Sequence, residues 1–308
     1  MSRERTADLG SAAEEAPTGV PHTDVSHTGV TPTGVTQASM PDSAAGTLSL
    51  LFVGDLVGKP GRRALKRLLP VLRAEHDLDF VVVNVENAAG GFGVTPAILD
   101  ELEPLAIDCY STGNHIWDKK EILPLLEREP RLLRPANYPE GNPGHGLFLG
   151  HTAAGVPVAV INLEGRAFMK DLDSPFAAAD RLLDTIADQA RVMMVDFHAE
   201  ATSEKQAIGF YLDGRVSAVF GTHTHVPTAD ERILPGGTAF ITDVGMTGGY
   251  QGIIGFRHEK VLRKFALQTH VSLDVARRDV RLAGAIVEVD IATGHAVRLE
   301  RFLLPLDP

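Results

Sequence analysis

The sequence has almost no cysteine and no long apolar run, and these two absences exclude several classes of protein. Cys109 is the single cysteine in 308 residues, so the chain cannot form a disulfide within itself or a thiolate-rich zinc site, and we expect Cys109 to be a buried strand residue. No stretch approaches the roughly 18 consecutive apolar residues of a membrane span, and the N-terminus lacks the apolar block of a secretion signal. The sequence therefore predicts a cytoplasmic protein that does not bind a membrane.

Basic residues are also fewer than acidic residues. The chain has 40 acidic and 29 basic residues, which gives a formal net charge of -11, and no run of Lys and Arg stands out. A chain of this charge repels a long polyanion. Long duplex nucleic acid is therefore not an expected partner.

Large apolar side chains are nearly absent from residues 1–46, which are rich in Thr, Pro, Gly, Ser and Ala and repeat the tripeptide TGV. Such a segment buries too little surface to offset the entropy of ordering it. We predict a disordered tail over 1–46 and a single domain over 47–308.

From Leu48 onward, short apolar runs alternate with amphipathic stretches, which indicates an α/β fold with a sheet covered by helices. A hairpin is expected around Thr293 and Gly294. The predicted strands lie within residues 48–55, 80–87, 108–114, 156–165, 191–200, 215–225 and 238–245, and helices are predicted after the first three of them, at 62–76, 95–105 and 119–129, and near 176–190 and 203–212.

Polar residues of metal-binding type follow five of these runs. Ligands of open α/β sheets gather outside the carboxyl ends of the strands, so these residues are expected to converge. Each one alone could be a turn former, a helix cap or a hydrogen-bonded core residue. His223 and His225 stand one residue apart, and an extended backbone would turn both to the same face. The residues are Asp55, Glu86, Asn87, Asn114, His115, His198, His223 and His225.

Apart from His115, this set holds two carboxylates, two amides and three imidazoles. Mixed oxygen and imidazole ligation suits Fe, Mn or Zn better than Ca or Mg, and seven ligands exceed the needs of one tetrahedral zinc. Two ions bridged by a carboxylate are therefore expected, an arrangement that suits the hydrolysis of phosphate esters. His115 could protonate the departing oxygen, because the unperturbed pKa of histidine is about 6.5.

The motifs, in this order, resemble the calcineurin-like metallophosphoesterase superfamily, and within it the YmdB-like branch of bacterial phosphodiesterases similar to those acting on cyclic nucleotides. The resemblance runs over about residues 48–305. The motifs that carry it are VGDLVG, NVENAAG, STGNHIWDKKE, RPANYPEGNPG, INLEGR, DFHAEATSEK, GTHTHVPTAD and ITDVGMTG.

This resemblance implies a metallophosphoesterase fold, in which two central β-sheets flanked by helices form a four-layer αββα sandwich with a dinuclear metal site at the C-terminal ends of the strands. It also implies two metal ions per subunit, Fe or Mn with Zn as the alternative, and a homo-oligomer, dimer or tetramer. The implied reaction is hydrolysis of small phosphodiesters such as 3′,5′- or 2′,3′-cyclic nucleotides by a metal-bridging hydroxide, with His115 assisting the leaving group.

The resemblance also implies which residues would bind each of the two ions. Asp55, Glu86, Asn87 and His225 would hold one ion, and Glu86 as the bridge would join Asn114, His198 and His223 at the other. The sequence departs from the wider superfamily at two places: the usual D-x-H reads Asp55-Leu56-Val57, and the usual bridging Asp is Glu86 followed by Asn87. Ile116 follows His115 where an acidic residue is common, so the sequence does not indicate what orients the ring.

Four basic residues, Arg62, Arg134, Arg166 and Lys205, follow these motifs closely enough to reach a substrate phosphate. Arg134, Arg166 and Lys205 are the predicted substrate contacts, and each could equally be a structural ion-pair residue. Two other functions fit the same sequence: a phosphomonoesterase or nuclease for short oligonucleotides, and a regulatory protein that binds metal and nucleotide and acts through a partner.

Overall fold

Alternating apolar residues give the central strands two buried faces. In the first strand, Leu50 and Phe52 lie on one face and Leu51 and Val53 on the other, and all four are fully buried. Because successive side chains of a strand point to opposite faces, a strand buried on both sides needs a packed layer above and below it. The architecture follows from this requirement.

The computed structural model describes residues 46–307, so the predicted tail lies, apart from Gly46, outside the described residues. The strands of the described part are β1 (Thr47–Val53), β2 (Asp55–Leu56), β3 (Phe80–Asn84), β4 (Cys109–Ser111), β5 (Leu147–His151), β6 (Pro157–Glu164), β7 (Val192–His198), β8 (Ala218–Thr222), β9 (Arg232–Ile233), β10 (Ala239–Ile241), β11 (Met246–Gly249), β12 (Val280–Asp290) and β13 (Ala296–Pro305). The helices are α1 (Gly58–His76), α2 (Pro96–Leu102), α3 (Leu123–Leu126), α4 (Pro175–Ile186), α5 (Thr202–Tyr211) and α6 (His258–Leu267), with short 3-10 turns at Glu103–Leu105, Ile116–Asp118 and Lys120–Ile122.

The strands form two sheets. The first has the order β2-β11-β12-β1-β3-β4, with β13 paired to β12, and the second has the order β5-β6-β7-β8-β10-β9. Neighbours β1, β3 and β4 are parallel, as are β6, β7, β8 and β10. Parallel neighbours end at the same edge of their sheet, so the loops that follow them lie side by side.

The two sheets pack face to face and helices cover their outer faces. Between the sheets, the rings of Phe52 and Phe220 stack with their centroids 4.9 Å apart. On the outer face of the first sheet, Leu65 of α1 and its neighbours pack in one core cluster with α2, and Leu183 of α4 and Ile208 of α5 belong to the cluster outside the second sheet. The order is helix, sheet, sheet, helix, so the predicted four-layer αββα sandwich is confirmed.

Most predicted elements are present. Cys109 is a buried residue of β4, and β12 and β13 form the hairpin expected around Thr293 and Gly294. The helix predicted over 119–129 is wrong, because the segment forms a 3-10 turn and the four-residue α3 instead. Pro124 disfavours a continuous helix through residues 119–123, since it has no N–H for the helical hydrogen bond and its ring clashes with the preceding turn. Within residues 46–307, none of the helices combines the length and apolar character needed to cross a bilayer.

Candidate metal centre

The predicted site residues lie at the ends of parallel strands that are in register. His198, the last residue of β7, pairs with Thr222, the last residue of β8. In the first sheet, Val53 of β1 pairs with Val83 of β3, and Asn84 pairs with Ser111 of β4. Within each sheet the residues that follow these strands therefore begin at one level. The structure brings all seven predicted ligands into one cluster, in which Asn114 and His223 are half-buried and the other five are buried.

Three of the predicted ligands surround the Nε2 atom of a fourth, His198. This atom lies 3.1 Å from Glu86 Oε1, 3.0 Å from Asn114 Oδ1 and 3.0 Å from His223 Nδ1. Glu86, His198 and His223 each present a donor atom within 4.8 Å of the others. His198 ends β7, and the other three side chains come from the loops that follow β3, β4 and β8.

The hydrogen bonds of Thr222 fix the tautomer of His198. The Thr222 hydroxyl donates to Asp196 Oδ1 at 2.7 Å, so its oxygen, 2.9 Å from His198 Nδ1, accepts the Nδ1–H. In the neutral ring Nε2 then carries a lone pair, which faces the oxygens of Glu86 and Asn114. A histidine held through its other ring nitrogen in this way is the usual arrangement of a metal ligand.

The remaining ligands form a second group around His225. The Nδ1 of His225 donates to the carbonyl of Ile254 at 3.0 Å, and its Nε2 lies 3.3 Å from Asn87 Oδ1 and 3.9 Å from Asp55 Oδ1. Asn87 donates its amide N–H to Gly91 O at 3.0 Å, which turns its oxygen into the cluster. Asp55 also accepts the backbone N–H of His223 at 3.2 Å, so the two groups adjoin.

The residues present fit divalent cations. Asp55 Oδ1 and Glu86 Oε1 are buried and accept no hydrogen bond. A buried carboxylate oxygen without a partner is costly, and here both face imidazole nitrogens that also carry lone pairs. A bound cation would satisfy these atoms. No thiolate lies in the cluster, which suits Fe, Mn or Zn held by oxygen and imidazole.

The pKa values show how strongly the cluster attracts positive charge. Burial acts to lower the pKa of His198, but the carboxylates of Glu86, Asp55 and Asp196 outweigh it and raise the value to about 9. Burial acts to raise the pKa of Glu86, and His198 outweighs it and lowers the value to about 2. Burial and the charge of His198 together lower the pKa of His223 to about 3. The carboxylates of the cluster therefore favour a positive charge beside His198.

His115 stands beside this cluster with its ring oriented by Asp118. Its Nδ1 lies 2.9 Å from Asp118 Oδ2, and its backbone N–H donates to Glu86 Oε2 at 3.2 Å. The ring of Phe92 packs edge-on at 5.0 Å between centroids. Since a carboxylate oxygen can only accept, Nδ1 carries hydrogen and Nε2 is the atom available to a ligand. Asp118 supplies the orienting acid that the sequence lacks at position 116.

The loop that carries His223 and His225 is not extended. Both residues have positive φ, 95° and 65°, which non-glycine residues rarely adopt, and the two rings therefore join different ligand groups. Thr224 between them donates its backbone N–H and its hydroxyl to Asp243 Oδ2, at 3.2 and 2.7 Å. Lys205 Nζ lies 2.8 Å from the same oxygen. This buried network holds the strained loop in place.

All three predicted substrate contacts have partners within the protein, and they differ in how exposed they are. Lys205 is 1% exposed and paired with Asp243, and Arg134 donates to the carbonyls of Pro135, Asn142 and Pro143. These contacts hold both side chains inside the fold. Arg166 is paired with Asp171 near the surface, and its side chain is half-exposed. Arg62 is likewise bonded to Glu101 and to the carbonyl of Ala88.

We expect Lys205→Met to lower the free energy of unfolding by about 3–5 kcal/mol, because it leaves the buried Asp243 carboxylate without its cation. The matched control is Lys66→Met, which breaks the half-exposed pair with Glu101 and should cost less than about 1 kcal/mol. Urea denaturation of the two variants measures both values. Equal losses would show that the Lys205 pair does not stabilise the fold.

Three acidic residues of the site were missed in the sequence. Asp196 lies two residues before His198, on the same face of β7, and this strand spacing is a signal that could have found it. Asp118 lies three residues after His115, a spacing that brings side chains together in a 3-10 turn. Asp243 could not be found from local spacing, because its partners Thr224 and Lys205 come from other elements.

The chain resembles known proteins over most of its length. Residues 51–302 match the family model described as YmdB-like protein. The 2′,3′-cyclic-nucleotide 2′-phosphodiesterase of Bacillus subtilis (strain 168) is 48% identical over 257 residues, which cover 83% of this chain and 97% of that protein. A crystal structure of a hypothetical protein from Thermus thermophilus is 42% identical with a TM-score of 0.77, covering 84% of this chain and 99% of that one. The crystal structure of a phosphatase from Mycoplasma pneumoniae is 33% identical with a TM-score of 0.80, covering 85% and 94%.

Proposed function

The chain belongs to the YmdB-like protein family and is a phosphoric ester hydrolase, and from this premise we propose that it hydrolyses small phosphodiesters, 2′,3′-cyclic nucleotides foremost, at a dinuclear metal centre. The relative from Bacillus subtilis, named for that activity, supports the choice of substrate. The observation that carries the metal centre is the meeting of imidazole lone pairs with buried carboxylate oxygens that accept no hydrogen bond.

Seven residues would hold the ions, in two groups that share Glu86. His225 and Asn87 face Asp55 in one group, and Asn114, His198 and His223 surround Glu86 in the other. Two divalent ions supply Lewis-acid charge and lower the pKa of water. Set against two carboxylates they leave a local charge of about +2, which attracts a phosphodiester to a chain that is acidic overall.

His115 is the proposed proton donor to the departing oxygen. Its backbone N–H on Glu86 places it at the edge of the metal cluster, and Asp118 fixes Nδ1, so that Nε2 is presented to the substrate. The Asp118 carboxylate also stabilises the protonated ring. Arg166, whose side chain is half-exposed, is the one predicted substrate contact that we retain.

The proposal extends to cofactors and assembly. We propose Fe or Mn as the two ions, with Zn as the alternative, because the donors are oxygen and imidazole and the single thiol, Cys109, is buried in β4. A homo-oligomer in the cytoplasm, dimer or tetramer, remains the expected form. Gel filtration with light scattering measures the assembly.

Removal of metal is the direct test. Protein purified without added metal and treated with a chelator should lose at least about 10³-fold in kcat for 2′,3′-cyclic AMP, and Mn²⁺ or Fe²⁺ should restore it. A panel with 3′,5′-cyclic AMP, bis(p-nitrophenyl) phosphate and p-nitrophenyl phosphate separates diesters from monoesters. Turnover that survives complete removal of metal would contradict the proposal, and preference for the monoester would favour a phosphomonoesterase.

A further inference from the structure

The segment between β11 and β12, residues 250–279, carries the opposite charge to the rest of the chain. It contains six Lys and Arg residues against three Asp and Glu residues, in a chain whose net charge is -11. The segment folds as a loop, α6 and a second loop. Because its basic residues are spread over 22 positions, they do not form a run in the sequence, and the fold is what gathers them.

A cleft of about 820 Å³ lies between this segment and the beginning of α1. Gly90 and Gln251 also line it, and its acidic residues are Glu259 and Asp274. The basic side chains that line it are Lys59, Arg257, His258, Arg277 and Arg278. The cleft is therefore a basic surface on an acidic protein.

Three of these cations have no carboxylate partner. Within residues 46–307, Lys59, Arg277 and Arg278 form no ion pair, and all three are exposed. Arg257 makes one long contact with Glu259, 3.5 Å between Nε and Oε2. Unpaired cations that face a common cleft create a positive potential there, which attracts an anion.

Two residues of the cleft wall lie close in the chain to the predicted metal ligands or their partners. Gly90, in its wall, is three residues from Asn87, so their Cα atoms lie within about 11 Å of each other. On the other side, His225 bonds to the carbonyl of Ile254, which is three residues before Arg257. A strand of nucleic acid has a phosphate every 3.4 Å or so when stacked, and further apart when extended, so a few nucleotides span this distance.

We propose that the basic cleft binds the phosphates of a short single-stranded oligoribonucleotide whose terminal 2′,3′-cyclic phosphate lies at the metal cluster. The proposal rests on the proposed function and names its substrate class: the end of an RNA fragment rather than a free mononucleotide. The acidic remainder of the surface still repels a long duplex. Flexible single strands can follow a local basic track that a rigid duplex cannot.

The test compares two substrates in the double variant Arg277→Glu/Arg278→Glu. We expect kcat/KM for a tetraribonucleotide ending in a 2′,3′-cyclic phosphate to fall about 10-fold to 100-fold, while kcat/KM for 2′,3′-cyclic AMP stays within about twofold. The salt dependence for the oligonucleotide should weaken by about 0.7 in log–log slope for each phosphate that the variant no longer binds. The double variant Arg181→Glu/Arg298→Glu, with the same change of charge on α4 and β13, is the control.

Several outcomes would overturn the proposal. The parent protein could process both substrates with the same kcat/KM and the same salt dependence, or the variant could lose equally on both. Helix α6 exposes Leu262, Phe265 and Leu267, so a contact between two copies of the chain is the competing use of this region. A change in oligomeric state, seen by light scattering, together with equal losses on both substrates would favour that use.

Binding separates failure of this proposal from failure of the proposed function. Fluorescence anisotropy of a labelled tetraribonucleotide measures binding to the cleft even if neither ester is hydrolysed. In that case, the proposed binding site would be supported if the parent protein binds the oligonucleotide in a salt-sensitive manner and the Arg277→Glu/Arg278→Glu variant does not. If the two charge reversals leave the affinity for the oligonucleotide unchanged, the proposed binding site is overturned, whatever the activity.

Discussion

Replacing Glu86 with Gln is expected to release at least one metal ion and to lower kcat/KM for 2′,3′-cyclic AMP on the order of 10³-fold. The amide keeps the size of the side chain and removes its charge. Glu86 is buried, and its carboxylate meets His198 with one oxygen and the backbone N–H of His115 with the other. The substitution therefore weakens the proposed bridging ligand while the size of the side chain stays the same.

Elemental analysis and kinetics on the same preparation measure both effects. Glu200→Gln is a graded control, because Glu200 is half-exposed and contacts His223 Nε2 at 3.2 Å from outside the cluster. Loss of such an outer contact should cost at most about 10-fold to 100-fold and should leave both ions bound. If the Glu86 variant retained two ions and full activity, Glu86 would not be a ligand.

The fold could be predicted to a large extent, because the periodicity of apolar residues determines it locally. The run of residues 48–53 indicates a strand buried on both faces, and such strands need helices and a second layer around them. The convergence of His198 with His223 could be predicted from strand order, since the parallel neighbours β7 and β8 end at one edge. The resemblance to the YmdB-like family, drawn from eight motifs, is confirmed.

Other features depend on contacts between distant parts of the chain. Strand alternation predicts that His223 and His225 point to the same face, and this prediction is wrong. Tertiary hydrogen bonds from Thr224 to Asp243 hold the loop at positive φ. Lys205 was expected at a phosphate, and its position in the helix after His198 does not reveal that Asp243 pairs with it. The basic cleft was missed for the same reason, since Lys59 and Arg277 are more than 200 positions apart in the sequence.

Removal of the imidazole of His115 should slow the enzyme in a manner that depends on the leaving group. We expect His115→Ala to lower kcat for 2′,3′-cyclic AMP by about 10²-fold to 10⁴-fold, because a ribose oxygen departs poorly without a proton. The loss for bis(p-nitrophenyl) phosphate should be much smaller, because nitrophenolate departs readily as the anion. Metal content should remain that of the parent, since only the backbone of His115 touches Glu86.

The ratio of the two losses identifies the role of the ring. A positioning role for His115 would slow both substrates by similar factors, and so would damage to the metal cluster. Asp118→Asn keeps a hydrogen-bond acceptor beside Nδ1 but removes the charge that stabilises the protonated ring, so it should show the same dependence on the leaving group with smaller losses. Equal losses on both esters in the His115 variant, with both metals bound, would show that proton donation to the leaving oxygen is not its function.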